Sequence, residues 1–284
     1  MRFRRIPALA LLALAACSAQ AGAQERKNDR QVIEDFVNTR GAASEQPAGK
    51  PQKRAGKATR ARRDGKAAGK GSGGADAARP VALGYTILLK DDAGQLSVVD
   101  PTREFKTGDN IAVALESNAD GYLYMFNASD GRNPEMLYPS VLLDGGANTL
   151  PAHARATFPA DPSHDFRFTD PPAREHLFVV FSREPLAGVP TGEALAEFCG
   201  ENRDDCSWKP PAQLWERITS AARGRGITEA KNVQTSQATP LPATRTTLRR
   251  GLKVRREDPK PAVVRVNDSP GADLLVTEIV LTHK

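Results

Sequence analysis

Long apolar runs are almost absent from this chain of 284 residues. The one present, Ile6 to Ala16, is shorter than the roughly 20 apolar residues a transmembrane helix requires, and no later segment approaches that requirement. No helical membrane span is expected beyond it. Cysteine is scarce as well: Cys17, Cys199 and Cys206 are the full set. Two thiols with no histidine nearby do not complete a tetrahedral zinc site, and their spacing is not the Cys-x-x-Cys of a redox pair. Histidine is limited to His153, His164, His176 and His283. There is no Gly-x-Ser-x-Gly elbow, no His-Glu-x-x-His and no phosphate-binding glycine loop with its lysine. These absences remove the common hydrolase, metalloprotease and nucleotide-binding readings, and neither a cofactor nor a metal is expected. Asp161, His164 and Asp165 lie close enough in sequence to ligate a cation, but their proline-bearing loop reads as solvent-exposed. Glu175 and His176 are strand neighbours on opposite faces, which argues against joint acid–base work.

What is present begins with the basic start Met1-Arg2-Phe3-Arg4-Arg5, followed by the apolar run and small residues. That is the pattern of a secretory signal over residues 1–16. Leu14-Ala15-Ala16-Cys17 resembles the lipobox of bacterial lipoproteins, which implies lipidation of Cys17 and an anchor in the membrane. Ser18 after the cysteine favours, by the same resemblance, the outer membrane. The competing reading is plain cleavage at Ala19-Gln20-Ala21 or Ala21-Gly22-Ala23, giving a secreted periplasmic protein. Setting Cys17 aside leaves an even pair. In an oxidising compartment Cys199 and Cys206 are expected to form a disulfide. Closing so short a loop stabilises the fold by about 2.5 kcal/mol on a chain-entropy estimate. Two free thiols are the alternative.

Residues 17–80 read as a lipid-anchored, disordered basic linker. Val32, Ile33, Phe36 and Val37 fall at helical spacing, but the stretch is too short to be a stable helix alone; it either docks on the fold or does nothing. From Gly41 to Arg79 almost no apolar side chain exceeds alanine. Such a segment cannot bury enough surface to offset its chain entropy. Between Lys50 and Lys70 the basic residues face a lone Asp64, so this tract alone accounts for the net charge of +6. One reading is a spacer, with about 60 residues between lipid and fold and a mean reach of roughly 45 Å. Another is contact with an anionic envelope surface, where each Lys or Arg near the surface contributes about 1 kcal/mol. Nucleic acid is the least favoured partner, because an exported chain seldom meets it and the tract lacks aromatics for base stacking.

From Val81 onward the pattern is that of short strands. Tyr85–Leu89 and Gln95–Val99 flank Asp91-Asp92-Ala93-Gly94, a hairpin turn. Ile111, Val113 and Leu115 alternate with Ala112, Ala114 and Glu116, the period of a strand with one packed face. Tyr122–Phe126 and His176–Phe181 are apolar on both faces and should be central. Leu137-Tyr138-Pro139 and Leu150-Pro151 read as edge pieces. Residues 190–226 form a helical insertion, and residues 262–283 are strands that return to the sheet. The fold class is mainly β, an antiparallel sandwich-like domain over residues 81–284.

Phe105-x-x-Gly108-Asp109, then Asp120-Gly121-Tyr122-Leu123-Tyr124, Leu137-Tyr138-Pro139, Leu150-Pro151, Phe158-Pro159 and Val180-Phe181-Ser182 occur in this order. On these motifs residues 84–186 resemble a bacterial domain family of unknown function, number 4384. The resemblance implies a small β domain on exported or surface-linked proteins, with no active site to transfer. Gly108 and Gly121 are read as turn residues supplying positive φ, and Asp109 and Asp120 as side chains that bond turn backbone. Tyr122, Tyr124 and Tyr138 are read as core aromatics with polar tips; the alternative is a ligand surface.

The function that follows is a non-enzymatic cell-envelope lipoprotein presenting a β-rich domain for binding or assembly, with a protein partner in the envelope. An accessory subunit of a secretion or polysaccharide-export system is one alternative. An envelope hydrolase with an unrecognised site is the other.

Overall fold

A computed structural model describes residues 28–40, 80–129, 131–159, 166–203, 206–232, 239–240, 252–254, 258–269 and 271–284. Cys17, the signal-like start, the Lys50–Lys70 tract and the Asp161, His164 and Asp165 group lie outside the described residues. The chain folds as a β-sandwich with helices on both outer faces. Helix α1 spans residues 28–38. The strands follow in chain order: β1 (Val81–Lys90), β2 (Leu96–Val99), β3 (Glu104–Phe105), β4 (Asn110–Ser117), β5 (Gly121–Ser129), β6 (Glu135–Tyr138), β7 (Thr149–Leu150), β8 (Ala154–Phe158), β9 (Phe166–Arg167) and β10 (Arg174–Ser182). Helices α2 (Gly192–Cys199) and α3 (Ala212–Ala222) come next, then β11 (Ile227–Lys231), β12 (Thr239–Pro240), β13 (Leu252–Lys253), β14 (Val263–Asn267) and β15 (Leu274–His283). No helix among the described residues is long and apolar enough to cross a membrane.

The first sheet runs β11-β14-β1-β4-β8-β13, with β2 and β12 continuing beside β1 and β9 beside β4. The second runs β3-β15-β10-β5-β6, with β7 on β5. All pairings are antiparallel except β3 with β15. Period-two alternation decides which side chains meet. Leu83, Tyr85, Ile87, Ile111, Val113 and Leu115 of the first sheet pack against Leu123, Met125, Leu177, Val179, Phe181 and Leu281 of the second. Strands β5 and β10 are apolar on both faces because each is covered twice. Their other face, with Tyr124, Phe126, Phe178 and Val180, lies under α2 and α3 through Leu195, Leu214 and Ile218. The expected hairpin turn also forms: Asp91 Oδ1 accepts from the backbone N–H groups of Ala93 and Gln95. The two returning strands part company, since β14 joins the first sheet and β15 the second.

Residues 28–40 depart from the linker reading. Helix α1 docks Ile33, Phe36 and Val37 on Ala82, Ala230 and Val264, on the outer face of the first sheet. Burial of these three side chains supplies what so short a helix lacks in isolation. The span 17–80 is therefore not one linker. The chain is bonded to the sandwich at Arg40, which pairs with Glu116 near the end of β4. It is bonded again at Pro80, whose carbonyl accepts from Asn118 two positions further on. The basic tract lies between two points held at one end of β4, not between the N-terminus and the fold.

Two glycines carry separate duties. Gly108 has φ 92°, as a turn glycine should. Gly121 does not have a positive φ, contrary to its sequence reading. A Cβ there would sit 2.4 Å from the Ser182 carbonyl oxygen and 2.5 Å from the Phe181 ring, so close approach is its reason. Gly121→Ala should cost about 1–3 kcal/mol through overpacking, read from urea denaturation. A cost near zero would show that β5 and β10 have slack at this point.

Candidate functional site

The inward faces of three adjacent strands change character at one end of the sandwich. Along β5 the inward series Leu123, Met125 continues as Asn127 and Ser129; along β10, Phe181, Val179 and Leu177 continue as Glu175; along β15, Ile279 and Leu281 continue as His283. The register places Ser129, Glu175 and Leu281 abreast. Opposite them, among the described residues, the first sheet contributes the two-residue strand β9 and Ile111 of β4, and a cleft is left between the sheets. The result is a cleft of about 410 Å³ whose polar lining is Asn127, Ser129, Arg167, Thr169, Glu175 and His283. Ile111, Leu137, Phe166, Phe168, Leu177 and Leu281 make its apolar wall. A notch of about 130 Å³ adjoins it and shares Leu137 and Phe166; Tyr138 and Phe158 form its deeper side.

Hydrogen bonds hold the polar wall in place. Asn127 Nδ2 and Ser129 Oγ both donate to Glu175 Oε2, each at 2.9 Å. Thr107 Oγ1 donates to Asp170 Oδ1 at 2.8 Å and lies 2.9 Å from His283 Nε2. The hydroxyl proton is given to Asp170, so His283 Nε2 is the donor in the second contact. That wiring differs from a nucleophile relay, in which the carboxylate sits behind the histidine and the histidine accepts from the hydroxyl. Phe168 stacks on Phe105 at 4.8 Å between ring centres and lies beside His283. Among the described residues no group of three metal-ligating side chains occurs.

Tyr122, Tyr124 and Tyr138 do not share one face of the sheet. Tyr124 is fully buried under the helices, and its hydroxyl accepts from the Leu186 N–H at 2.9 Å. Tyr138 is buried between the sheets, on the opposite side, and donates to the Ala147 carbonyl at 2.8 Å. Tyr122 is half-buried on the helical side. Period two puts Tyr122 and Tyr124 on one face, while Tyr138 belongs to the other. Only Tyr138 reaches the cleft region, as a wall of the notch.

Cys199 and Cys206 are joined in a disulfide, with Cα atoms 5.3 Å apart. It ties the last residue of α2 to the segment leading into α3, in the same apolar cluster as Trp208. Asp109 behaves as read, accepting from the Lys106 N–H of its own turn. Asp120 instead reaches across to the Ala152 N–H at 2.7 Å, binding the loop before β8. His176 pairs with Glu278 across the sheet at 2.7 Å, while Glu175 faces the cleft, so the two neighbours do work apart.

Arg40, Glu116 and His153 form a buried cluster that sequence spacing does not reveal. Arg40 grips the Glu116 carboxylate with Nε and Nη2, both at 2.8 Å, and neither side chain is more than 3% exposed. Nη1 and Nη2 also donate to the carbonyls of Asp258 and Pro259. His153 Nδ1 donates to Glu116 Oε1 at 2.9 Å, and the edge of Phe36 in α1 closes over its ring. Burial pushes the Glu116 carboxyl up, but the hydrogen bonds from His153 and Arg40 and their charge outweigh it and hold the carboxyl below its usual range. Burial pushes the neighbouring Arg155 guanidinium down. The cluster is buried among the described residues and ties the end of the α1 segment to β4.

The cleft residues were also missed from sequence. The signal available was the break of an inward apolar series at Asn127, Glu175 and His283, which becomes legible only once it is known that three strands lie side by side. Neither a curated protein nor a solved structure matches the chain. Residues 104–185 match the model of a domain of unknown function, DUF4384. That segment runs from β3 through β10 and supplies every wall of the cleft except Leu281 and His283, so the cleft is built largely from the part of the chain similar to this family.

Proposed function

We propose that this chain is an exported, non-enzymatic cell-envelope protein, anchored by lipid at Cys17, whose sandwich binds a ligand or partner in the cleft between its sheets. The observation that carries the binding reading is the cleft: its volume falls within the roughly 300–1,000 Å³ of small-molecule sites, with an apolar wall and a few convergent polar groups. The disulfide supports the oxidising compartment. The docking of α1 revises the geometry of the tether. Only residues 18–27 separate Cys17 from the helix, a reach of at most about 40 Å even fully extended. The domain would then sit near the membrane, with the basic tract in reach of an anionic surface.

Fatty-acid labelling of the full chain in a bacterial envelope should mark the native protein and leave Cys17→Ser unlabelled. Photocrosslinking from Thr169 at the cleft should give adducts that a probe at Glu216 on α3 does not. Equal labelling of Cys17→Ser would end the lipoprotein reading. Adducts confined to Glu216 would end the assignment of binding to the cleft.

A further inference from the structure

We propose that the cleft binds a small primary ammonium compound with an apolar body, its ammonium on Glu175 and its body against Leu137, Phe166 and Leu177. This deepens the binding reading and rests on it. Glu175 stands at an inward position of β10, two residues before Leu177, where alternation would otherwise place an apolar side chain. Its carboxylate is aimed from the neighbouring strand: Asn127 Nδ2 and Ser129 Oγ both donate to Oε2, each at 2.9 Å. Oε1 has no partner among the described residues. The group is thereby held in orientation while half of its accepting capacity stays open.

The described walls do not balance this charge. Arg167 is the one lysine or arginine among them, and it belongs to the wall through its backbone. It pairs with Asn110 and alternates with the inward Phe166 and Phe168. Its side chain therefore goes to the outer face of the first sheet, where Nη2 lies 3.9 Å from the position a Cβ on Gly108 would take. His283 turns Nε2 to Thr107, whose own proton goes to Asp170, so that chain of hydrogen bonds ends on a second carboxylate. A ligand carboxylate or phosphate would meet like charge here. A neutral ligand would strip water from Glu175 without bringing a counter-charge. A primary ammonium brings the opposite charge and three donors, and charge-assisted hydrogen bonds are the stronger kind. The rest of the wall is apolar, and about 410 Å³ gives room for a ring or a branched chain of similar size.

The test is titration of the full chain, followed by NMR at neutral pH, with three probes that share one body: phenethylammonium, phenethyl alcohol and phenylacetate. The ammonium should bind, the alcohol about tenfold more weakly, and phenylacetate more weakly still. Added salt should narrow the gap between ammonium and alcohol by screening the charged pair. In Glu175→Gln, whose amide oxygen can still accept from Asn127 and Ser129, the ammonium should fall to the affinity of the alcohol while the alcohol is unchanged. Glu175→Asp should keep part of the preference for the ammonium. Unchanged melting temperatures would show that both variants fold. An alcohol that binds the native chain as tightly as the ammonium would overturn the proposal without recourse to any variant. So would a preference for the ammonium that survives intact in Glu175→Gln. If none of the three probes binds, the ammonium assignment falls, while Thr169 photoadducts would still uphold the cleft as the binding site. Loss of those adducts counts against the binding reading itself, so the two failures are distinguishable.

Discussion

Arg40→Ala should destabilise the protein by about 3–5 kcal/mol, the usual cost of removing one partner from a buried ion pair. The cost is that high because Glu116 would be left in a site from which water is excluded, with both oxygens oriented toward a missing guanidinium. The carbonyls of Asp258 and Pro259 would lose donors as well. Urea denaturation at neutral pH reads the loss directly. The double variant Arg40→Met with Glu116→Gln should recover part of it, since the uncompensated charge is gone and the amide can still accept from His153.

The same pair sets an acid dependence. In the native protein the Glu116 carboxyl is held below its usual range, so its contribution is complete above the unfolded value of about 4.3. It is lost as pH falls through the lower folded value. In Arg40→Ala the opposing effect of burial gains weight and the depression shrinks. The stability gap between the two proteins should therefore be widest near neutrality and narrow below about pH 4. A gap that is constant with pH, or an Arg40→Ala cost under about 1 kcal/mol, would mean that α1 is a loosely held appendage.

Phe126→Ala should cost a similar amount, about 3–5 kcal/mol, as large-to-small changes of buried aromatics do. Phe126 is fully buried on the helical face of the second sheet, with Trp215 of α3 edge-on at 6.0 Å between ring centres. Phe178 makes a second edge contact with the same indole at 4.7 Å. Removing Phe126 opens a cavity under α3, so the near-UV circular dichroism of the tryptophans should fall together with stability. Loss of that signal with little change in the denaturation midpoint would indicate instead that the helical insertion is a separate, weakly coupled layer.

Much of the β architecture was legible because alternation is a local property. Ile111, Val113 and Leu115 announce an inward face whatever lies opposite, and the doubly apolar Tyr122–Phe126 announces a strand covered on both sides. The hairpin at Asp91–Gly94 was readable for the same reason, since its bonds close within a few residues. Gly121 was misread because a turn glycine and a close-approach glycine look alike in sequence; only the Ser182 carbonyl behind it separates them. Tyr124 and Tyr138 are core aromatics with bonded polar tips, as alternation and composition suggest; the alternative of one ligand surface treats the two faces of a strand pair as one. The linker boundary failed at residues 28–40 because a weak amphipathic helix has no local mark of whether a partner surface exists.

By itself the sequence determined that a β-rich body follows a basic tract, that its strands have definable inner faces, and that two cysteines stand close enough to bond. These follow from period, composition and short spacing, which act over neighbouring residues. Tertiary structure alone decided that Arg40 meets Glu116 across 76 positions, that α1 closes the outer face of the first sheet, and that Asn127, Glu175 and His283 line one cleft at the end of the sandwich. Each of these depends on which strands lie side by side, and pairing between distant segments is settled by packing of the whole core, not by any local run of residues.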